Sequence, residues 1–326
     1  MGKIAFVFPG QGSQKVGMGK EAFDASEQAR AVFTEADAAL GESLSTLCFE
    51  GPEEGLRLTR NTQPAILTSS IAILRALEAA VPDAKPDMVA GHSLGEYSAH
   101  VCARTMGFED AVRTVRKRGE LMQAAVPVGV GAMSAIIKLD LDVLTKIAAD
   151  VEQETGLCVE AVNLNAPGQI VIAGDAAAVE LAGQRMKDAG ARVMPLPVSA
   201  PFHCRLMKPA EEGLRPVLEA ITFHPANIPV FINVDAKPIQ DGNTARDALV
   251  RQVSRSVRWD ESVRAMKEAG ATLFIEIGTG SALTGMIKRT VDGAKGSPVH
   301  LAVKCISVQK PEDFEAARIA IAEARA

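Results

Sequence analysis

Residues 87–101 read DMVAGHSLGEYSAHV: an apolar run, the pattern Gly-x-Ser-x-Gly and a helix-compatible segment. This order predicts a strand, a sharp turn and a helix, which is the context in which the pattern marks a nucleophile elbow. Gly91 and Gly95 leave room for Ser93 at the apex of a strained turn and for an arriving carbonyl group. Free N–H groups at the start of the helix would then stabilise a developing oxyanion. The alternative is a plain strand-to-helix turn in which Ser93 only caps the helix.

Composition excludes several classes of function. The chain has 326 residues, of which 47% are hydrophobic and 4% aromatic, and its net charge is −5. These values are typical of a soluble globular protein with one large domain or two ordinary ones. No block of lysine and arginine marks a nucleic-acid or membrane surface, and aromatic side chains for base stacking are scarce. We therefore expect neither nucleic acid nor a membrane as partner.

The cysteines and the N-terminal segment bear on metals and location. Five cysteines are scattered along the chain without zinc-ligand spacing, which suits a reducing compartment. Cys204 follows His203, but no further ligands stand at suitable spacing, so we expect no metal site. The apolar run from Ile4 to Phe8 is too short for a signal peptide, and no stretch reaches membrane-spanning length. These features predict a cytoplasmic protein.

Most of the chain alternates short apolar strands with amphipathic helices, which predicts an α/β fold with a mostly parallel sheet. The glycine-rich loop 9–14 lacks the third glycine of a dinucleotide fingerprint and the Gly-Lys-Ser/Thr of a P-loop, so no nucleotide cofactor is expected. The predicted strands are 4–8, 87–91, 230–234, 271–277 and 301–308. The predicted helices are 21–40, 63–80, 108–125, 208–220 and 244–253.

Residues 127–198 show a different order of predicted strands and helices. Their periodicity predicts the order β-α-β-β-α-β, with strands near 131–139, 158–163, 169–173 and 192–198. That order is typical of a ferredoxin-like unit. We therefore predict a small domain at 127–198, inserted into a large domain formed by 1–126 and 199–326.

Two further residues are candidates for a site. Arg118 lies along the edge of an apolar helical stripe, where a guanidinium calls for an anionic or hydrogen-bonding partner. It could equally cover apolar surface or pair with Glu120. The other basic residues of this helix lie off the stripe and can be solvated: Arg113, Arg116 and Lys117. His203 follows the last strand of the inserted unit, which places it near the junction of the two domains, where small-molecule sites form.

Six short motifs together carry a resemblance to a known family. They are residues 9–14 (PGQGSQ), 91–96 (GHSLGE), 118–119 (RG), 200–203 (APFH), 233–235 (NVD) and 276–278 (EIG). In this order they closely resemble the malonyl-CoA:acyl carrier protein transacylases of fatty-acid synthesis, over nearly the whole chain. The resemblance implies an α/β-hydrolase-like large domain interrupted by a ferredoxin-like small one. It also implies malonyl-CoA and holo acyl carrier protein as partners and no metal or cofactor. We favour a monomer.

The resemblance implies a catalytic dyad. Ser93 matches the nucleophile and His203 the general base, while Gln252 matches the position whose backbone carbonyl orients the histidine. Such a dyad has no carboxylate, and no acidic residue stands out as a third member. Asp235 and Asp260 are left open as partners of the histidine.

The same resemblance implies contacts to the acyl group. Arg118 matches the arginine that binds the free carboxylate of malonyl. Gln11 and Leu94 match the positions whose backbone N–H groups form the oxyanion hole. Phe202, beside the base, would limit room for a branched acyl chain, and His92 would be a structural residue of the elbow.

Three other functions remain open from the sequence. A serine thioesterase or esterase would use the same elbow but has no need for an arginine that grips the acyl group. A discrete acyltransferase of a polyketide synthase would share the chemistry and differ in its carrier. A catalytically silent docking module would hold carrier proteins without needing Ser93, His203 and Arg118 together.

Overall fold

A computed structural model describes residues 2–198, 200–292 and 303–326, and in this part of the chain the strands form two separate sheets. The first sheet has six strands in the order β10-β9-β1-β2-β7-β8, and the second has four in the order β4-β5-β3-β6. The strands are β1 (Lys3–Phe8), β2 (Met88–Gly91), β3 (Gly131–Ile137), β4 (Val159–Ala166), β5 (Gln169–Asp175), β6 (Arg192–Pro195), β7 (Val230–Ile232), β8 (Lys237–Ile239), β9 (Ala271–Ile277) and β10 (Lys304–Val308).

The helices cover both sheets. They are α1 (Lys20–Ala25), α2 (Glu27–Leu40), α3 (Leu44–Glu50), α4 (Glu53–Arg57), α5 (Thr59–Ala80), α6 (Gly95–Cys102), α7 (Phe108–Ala124), α8 (Leu141–Thr155), α9 (Ala176–Asp188), α10 (Lys208–Glu219), α11 (Gly242–Arg251), α12 (Trp259–Glu268), α13 (Ala282–Asp292) and α14 (Phe314–Arg325). Among the described residues, none of these helices is both long and apolar enough to cross a bilayer.

The first sheet confirms the predicted mixed α/β fold with a mostly parallel sheet. Strands β10, β9, β1, β2 and β7 pair in parallel, and only β8 joins antiparallel. The central strand β1 is buried from Ile4 to Phe8, as expected for an apolar strand covered on both faces. The ends of β1 and β2 lie side by side, because Phe8 pairs with Gly91.

The second sheet is antiparallel and has its own core. Strand β3 pairs with β5 and β6, and β4 pairs with β5. Helices α8 and α9 pack against it with their apolar faces. Together with the sheet they form a separate buried cluster that includes Leu144 of α8, Ile172 of β5 and Met186 of α9. The elements between Gly131 and Pro195 therefore follow one another in the predicted order.

Several predicted boundaries are wrong. The helix predicted at 21–40 is two helices, because Ser26 adopts extended backbone and its Oγ accepts a hydrogen bond from the N–H of Ala29 at 3.4 Å. The helix predicted to begin at Gln63 begins at Thr59, and the strand predicted at 192–198 ends at Pro195. Of the strand predicted at 301–308, residues 301–302 lie outside the described residues.

Candidate active site

The turn after β2 holds Ser93 in strained backbone, with φ at 52°. A Cβ atom on Gly91 would lie 1.9 Å from the carbonyl carbon of Gly95, and one on Gly95 would lie 2.0 Å from the Phe8 oxygen. Asn233 fixes the turn, because its Oδ1 accepts from the Ser93 N–H at 2.7 Å and its Nδ2 donates to the Gly91 carbonyl at 2.7 Å. The sequence therefore folds here as an elbow in which only glycine fits at both flanks.

Ser93 and His203 form a hydrogen-bonded pair. The Ser93 hydroxyl lies 2.7 Å from Nε2 of His203, and Nδ1 of the ring lies 2.8 Å from the Gln252 carbonyl. Since a carbonyl only accepts, Nδ1 carries the ring proton and Nε2 can accept the serine proton. Burial, and then the nearby charge of Arg118, lower the pKa of His203 to about 3. The imidazole is therefore neutral at physiological pH and able to act as a base.

The two aspartates left open by the sequence are engaged elsewhere. Asp235 pairs with Arg251, with Oδ2 2.8 Å from Nη2. Asp260 accepts a hydrogen bond from the Thr290 hydroxyl at 2.7 Å. The partner of Nδ1 of His203 is instead the main-chain carbonyl of Gln252. Neither aspartate therefore pairs with the histidine.

Arg118 lies beside Ser93 and is only 1% exposed. Its Nη1 donates to Oε1 of Gln63 at 2.8 Å, and its Nη2 donates to Oε1 of Gln252 at 2.9 Å. The same Nη2 lies 3.2 Å from Oγ of Ser93. The alternatives, that Arg118 covers apolar surface with its charge in solvent or pairs with Glu120, are therefore wrong, because the guanidinium is buried and bonded to Gln63 and Gln252.

The expectation that Arg116 is solvated is also wrong. This side chain is 9% exposed, forms an ion pair with Glu42 and donates to Oδ1 of Asn61 at 2.7 Å. Helical spacing shows the direction of a side chain, but not which distant segment packs over it. Here α7 packs against α5 and α2, whose ends cover residue 116.

Two buried residues that the sequence analysis did not assign to the site join its parts. Glu96 is 0% exposed, and its Oε2 accepts from the Asn233 N–H at 2.8 Å and from Nε2 of Gln252 at 2.9 Å. The side chain of Gln252 also donates to the Ser93 carbonyl at 2.9 Å. Both residues occur in the quoted motifs. Asn233 directly follows a buried strand and Glu96 lies inside a buried helix, and a polar residue at such a position could have indicated a role in the site.

A pocket of about 100 Å³ lies over these groups. It brings together five of the six predicted site residues, and Gln252 lies next to it through its contacts with His203 and Arg118. Its polar lining includes Gln11, Gln63, His92, Ser93, Arg118, Asn163 and His203. Its apolar lining is formed by Leu94, Met122, Met133, Leu196, Val198 and Phe202.

His92 is tied into the wall of this pocket. Its Nε2 lies 2.8 Å from Oδ1 of Asn165, and its ring meets Trp259 edge-on with a centroid distance of 5.7 Å. Burial lowers the pKa of His92, so its ring stays neutral. These contacts fit the structural role expected of it.

One group of potential metal ligands occurs in the described part of the chain, away from the pocket. It consists of Glu152, Cys158 and Glu160, whose ligand atoms lie within 4.8 Å of one another. Arg205 already pairs with both of its carboxylates, with Nη1 2.7 Å from Glu152 and 2.6 Å from Glu160. A hydrogen bond with Cys204, and then burial, raise the pKa of the Cys158 thiol, which disfavours the thiolate that metals require.

Comparison with known proteins gives a consistent result along the whole chain. Residues 5–324 match the family described as the acyl transferase domain. The malonyl CoA-acyl carrier protein transacylase of Bacillus subtilis strain 168 is 48% identical over 318 residues, covering 97% of this chain and 96% of that protein.

Solved structures agree in fold. An acyl carrier protein S-malonyltransferase from Vibrio cholerae superposes with a TM-score of 0.91 at 44% identity, covering 97% of this chain and 99% of that one. A malonyl-transacylase solved in complex with its type II PKS acyl-carrier protein gives a TM-score of 0.92 at 44% identity, covering 98% and 99%. This chain therefore belongs to the acyl transferase family, as an enzyme of its malonyl CoA-acyl carrier protein transacylase branch.

Proposed function

We propose that the protein transfers the malonyl group of malonyl-CoA to the phosphopantetheine thiol of a holo acyl carrier protein. The reaction would run in two halves through a malonyl ester on Ser93. The observation that carries this proposal is the position of Arg118, whose Nη2 lies 3.2 Å from the Ser93 hydroxyl. A fixed cation beside the nucleophile suits an acyl group with its own carboxylate, and the names of the relatives point to the same substrate.

In the first half, His203 acts as general base. Its Nε2 takes the proton of Ser93 while Oγ attacks the thioester carbonyl, and the proton then passes to the departing sulfur of coenzyme A. The Gln252 carbonyl keeps the ring in the required tautomer through Nδ1. In the second half, the His203 ring takes the proton of the carrier thiol while the sulfur attacks the malonyl ester. The ring then gives that proton to the Ser93 oxygen as the ester bond breaks.

Backbone N–H groups of Gln11 and Leu94 form the oxyanion hole in this proposal. Leu94 directly precedes α6, and N–H groups at the start of a helix have no partner within the helix. Gln11 lies in the loop after β1 and lines the same pocket as Ser93. Loss of one such donor typically costs about 3 kcal/mol in the transition state.

Arg118 provides acyl selectivity. Its guanidinium can bind a carboxylate through two parallel hydrogen bonds, a charge-assisted contact worth about 1.5–3 kcal/mol. At about 1.4 kcal/mol per factor of ten, this corresponds to roughly 10- to 150-fold preference over acetyl. Phe202 lines the pocket and would restrict a branched acyl chain.

We also infer the domain division from the sheets. The four-stranded order β4-β5-β3-β6, fully antiparallel, supports a ferredoxin-like domain at 127–198. The parallel sheet with its elbow supports an α/β-hydrolase-like domain from 1–126 and 199–326. A cytoplasmic location, a monomeric state and independence from metal or cofactor stay predictions.

One experiment separates the remaining functions. The protein is loaded with labelled malonyl-CoA and then mixed with buffer, a fatty-acid carrier protein or a polyketide carrier protein. We expect an ester that persists for minutes in buffer and disappears rapidly onto a carrier thiol. Release of free malonate in buffer as fast as transfer to a carrier would instead identify a hydrolase. If Ser93 is not loaded at all, a docking role remains. The relative rates on the two carriers decide between a fatty-acid and a polyketide enzyme.

A further inference from the structure

Glu96 is a buried carboxylate beside the active site that the mechanism above does not use. It lies in the first turn of α6 and is 0% exposed. Its Oε1 has no hydrogen-bond partner in the described part of the chain and lies 3.9 Å from Nε2 of His100. Both hydrogen bonds of its Oε2 lead to the active site, one to the N–H of Asn233 and the other to Nε2 of Gln252.

Arg118 depends on this carboxylate for charge balance. Among the described residues its hydrogen-bond partners are two amides and one hydroxyl, and none is a carboxylate. A guanidinium stays charged in proteins, so the cost of burying it must be offset by a counter-charge. Burial lowers the pKa of Arg118, while Tyr97 and Glu96 act in the opposite direction. Burial also raises the pKa of the Tyr97 phenol, which stays neutral, so Glu96 is the carboxylate among the described residues that partly balances this cation.

Gln252 connects the two charges with both ends of one amide. Its Oε1 accepts from Nη2 of Arg118 at 2.9 Å, and its Nε2 donates to Oε2 of Glu96 at 2.9 Å. The amide dipole is thus held in one orientation, with its oxygen turned towards the cation. We propose that Glu96, acting through Gln252, sets how strongly Arg118 selects an acyl group that carries a carboxylate.

The direction of the effect follows from electrostatics, and the inference rests on the proposed role of Arg118. With Glu96 ionised, the cation is partly neutralised before substrate arrives, which weakens its attraction for the malonyl carboxylate. Without that charge, the substrate carboxylate becomes the main counter-ion of Arg118. Glu96 is thus a positioning residue that moderates selectivity, and its neutralisation should increase the preference for malonyl.

The variant Glu96→Gln tests this directly, because the amide keeps the volume and an accepting oxygen but removes the charge. The measured quantity is the ratio of the rate constants for acylation of Ser93 by malonyl-CoA and by acetyl-CoA. Damage to the dyad lowers both rates and cancels in the ratio, so a merely structural role would leave the ratio unchanged. We expect the ratio to rise about tenfold, the Coulomb effect of a unit charge about 12 Å from the substrate carboxylate at an effective dielectric constant of about 20.

Two further variants complete the test. Glu276→Gln is the matched control, because Glu276 is 1% exposed and caps α13 through the N–H groups of Leu283 and Thr284. Its ratio should equal that of the unaltered protein. Arg118→Ala separates the two claims: if it keeps the malonyl preference, the proposed function of Arg118 is wrong. If it loses the preference while Glu96→Gln leaves the ratio unchanged or lower, only the inference about Glu96 is overturned.

Discussion

Nη2 of Arg118 lies 3.2 Å from the hydroxyl oxygen of Ser93, and both residues line the pocket. The same nitrogen donates to the side chain of Gln252, whose backbone carbonyl accepts from His203. In the proposed mechanism, substrate recognition and nucleophile activation therefore share one hydrogen-bonded group. A change in the guanidinium should alter both the choice of acyl group and the reactivity of the serine.

Replacement of Arg118 by alanine should lower acylation by malonyl-CoA much more than acylation by acetyl-CoA. The lost charge-assisted contact predicts a fall of about 10- to 150-fold in the ratio of the two kcat/KM values. Arg113→Ala is the matched control, since Arg113 lies on the same helix but is exposed and pairs with Glu109. An equal fall for both donors would contradict the assigned role of Arg118.

Asn233→Ala should disable the elbow while leaving the side chains of Ser93 and His203 in place. It leaves the Ser93 N–H and the Gly91 carbonyl unpaired in a buried turn, at a cost of about 1–3 kcal/mol for each group. We expect a lower free energy of unfolding in urea together with slower acylation by both thioesters. Asn243→Ala, an exposed asparagine on α11, should change neither measurement. Normal acylation by a destabilised Asn233 variant would show that the elbow tolerates displacement.

The local geometry around Ser93 could be predicted because it depends on residues adjacent in sequence. The spacing of Gly91, Ser93 and Gly95 and the apolar run before them determine a strand, a turn and a helix. The order of strands and helices from 131 to 195 was predictable for the same reason, since periodicity is a local property. The predicted helix boundaries were wrong where a single capping residue determines them, as Ser26 does at the start of α2.

The contacts of the site could not be read from periodicity. Glu96 and Gln252 are 156 positions apart, and their hydrogen bond exists only because β7 and the end of α11 pack beside the elbow. Helical spacing placed Arg118 at the edge of a stripe, but its burial depends on Gln63 and Gln252 from other segments. Apart from Ser93, which the elbow spacing already indicates as a nucleophile, the roles of the site residues follow from the family resemblance and not from spacing.

Gly95→Ala should abolish correct packing of the elbow. A Cβ atom there would lie 2.0 Å from the carbonyl oxygen of Phe8, which is main chain and cannot move aside cheaply. We expect a strongly lowered melting temperature and loss of acylation.

Gly285→Ala is the opposite case, because a Cβ atom at this position inside α13 would meet nothing within 4 Å. It should stabilise the protein by about 0.5–1 kcal/mol, the usual helical preference for alanine. Wild-type stability of the Gly95 variant would contradict the close approach of the turn to β1.

Acylation should be insensitive to pH near neutrality. Because the pKa of His203 is lowered to about 3, its Nε2 stays deprotonated, and kcat/KM should be flat from about pH 8 to pH 5. An acidic limb centred near 6.5, the usual histidine value, would contradict the buried neutral base.

The same pKa shift predicts how the stability of the fold depends on pH. An unfolded chain takes up a proton on this histidine near pH 6.5, whereas the native protein does so only near 3. This contribution to stability is therefore fully present above 6.5 and is lost progressively as the pH falls towards 3. His203→Gln should unfold with a smaller dependence on pH over that interval. An unchanged dependence in this variant would show that another group is responsible.

The central claim is a malonyl ester on Ser93, and intact-protein mass spectrometry tests it most directly. The protein is exposed briefly to malonyl-CoA, digested to locate the adduct, and in parallel mixed with holo acyl carrier protein. The account predicts one malonyl group on Ser93 that moves to the carrier, and none on Ser93→Ala. A malonylated carrier formed by Ser93→Ala at the normal rate, or an adduct on another residue that is discharged to the carrier, would contradict it.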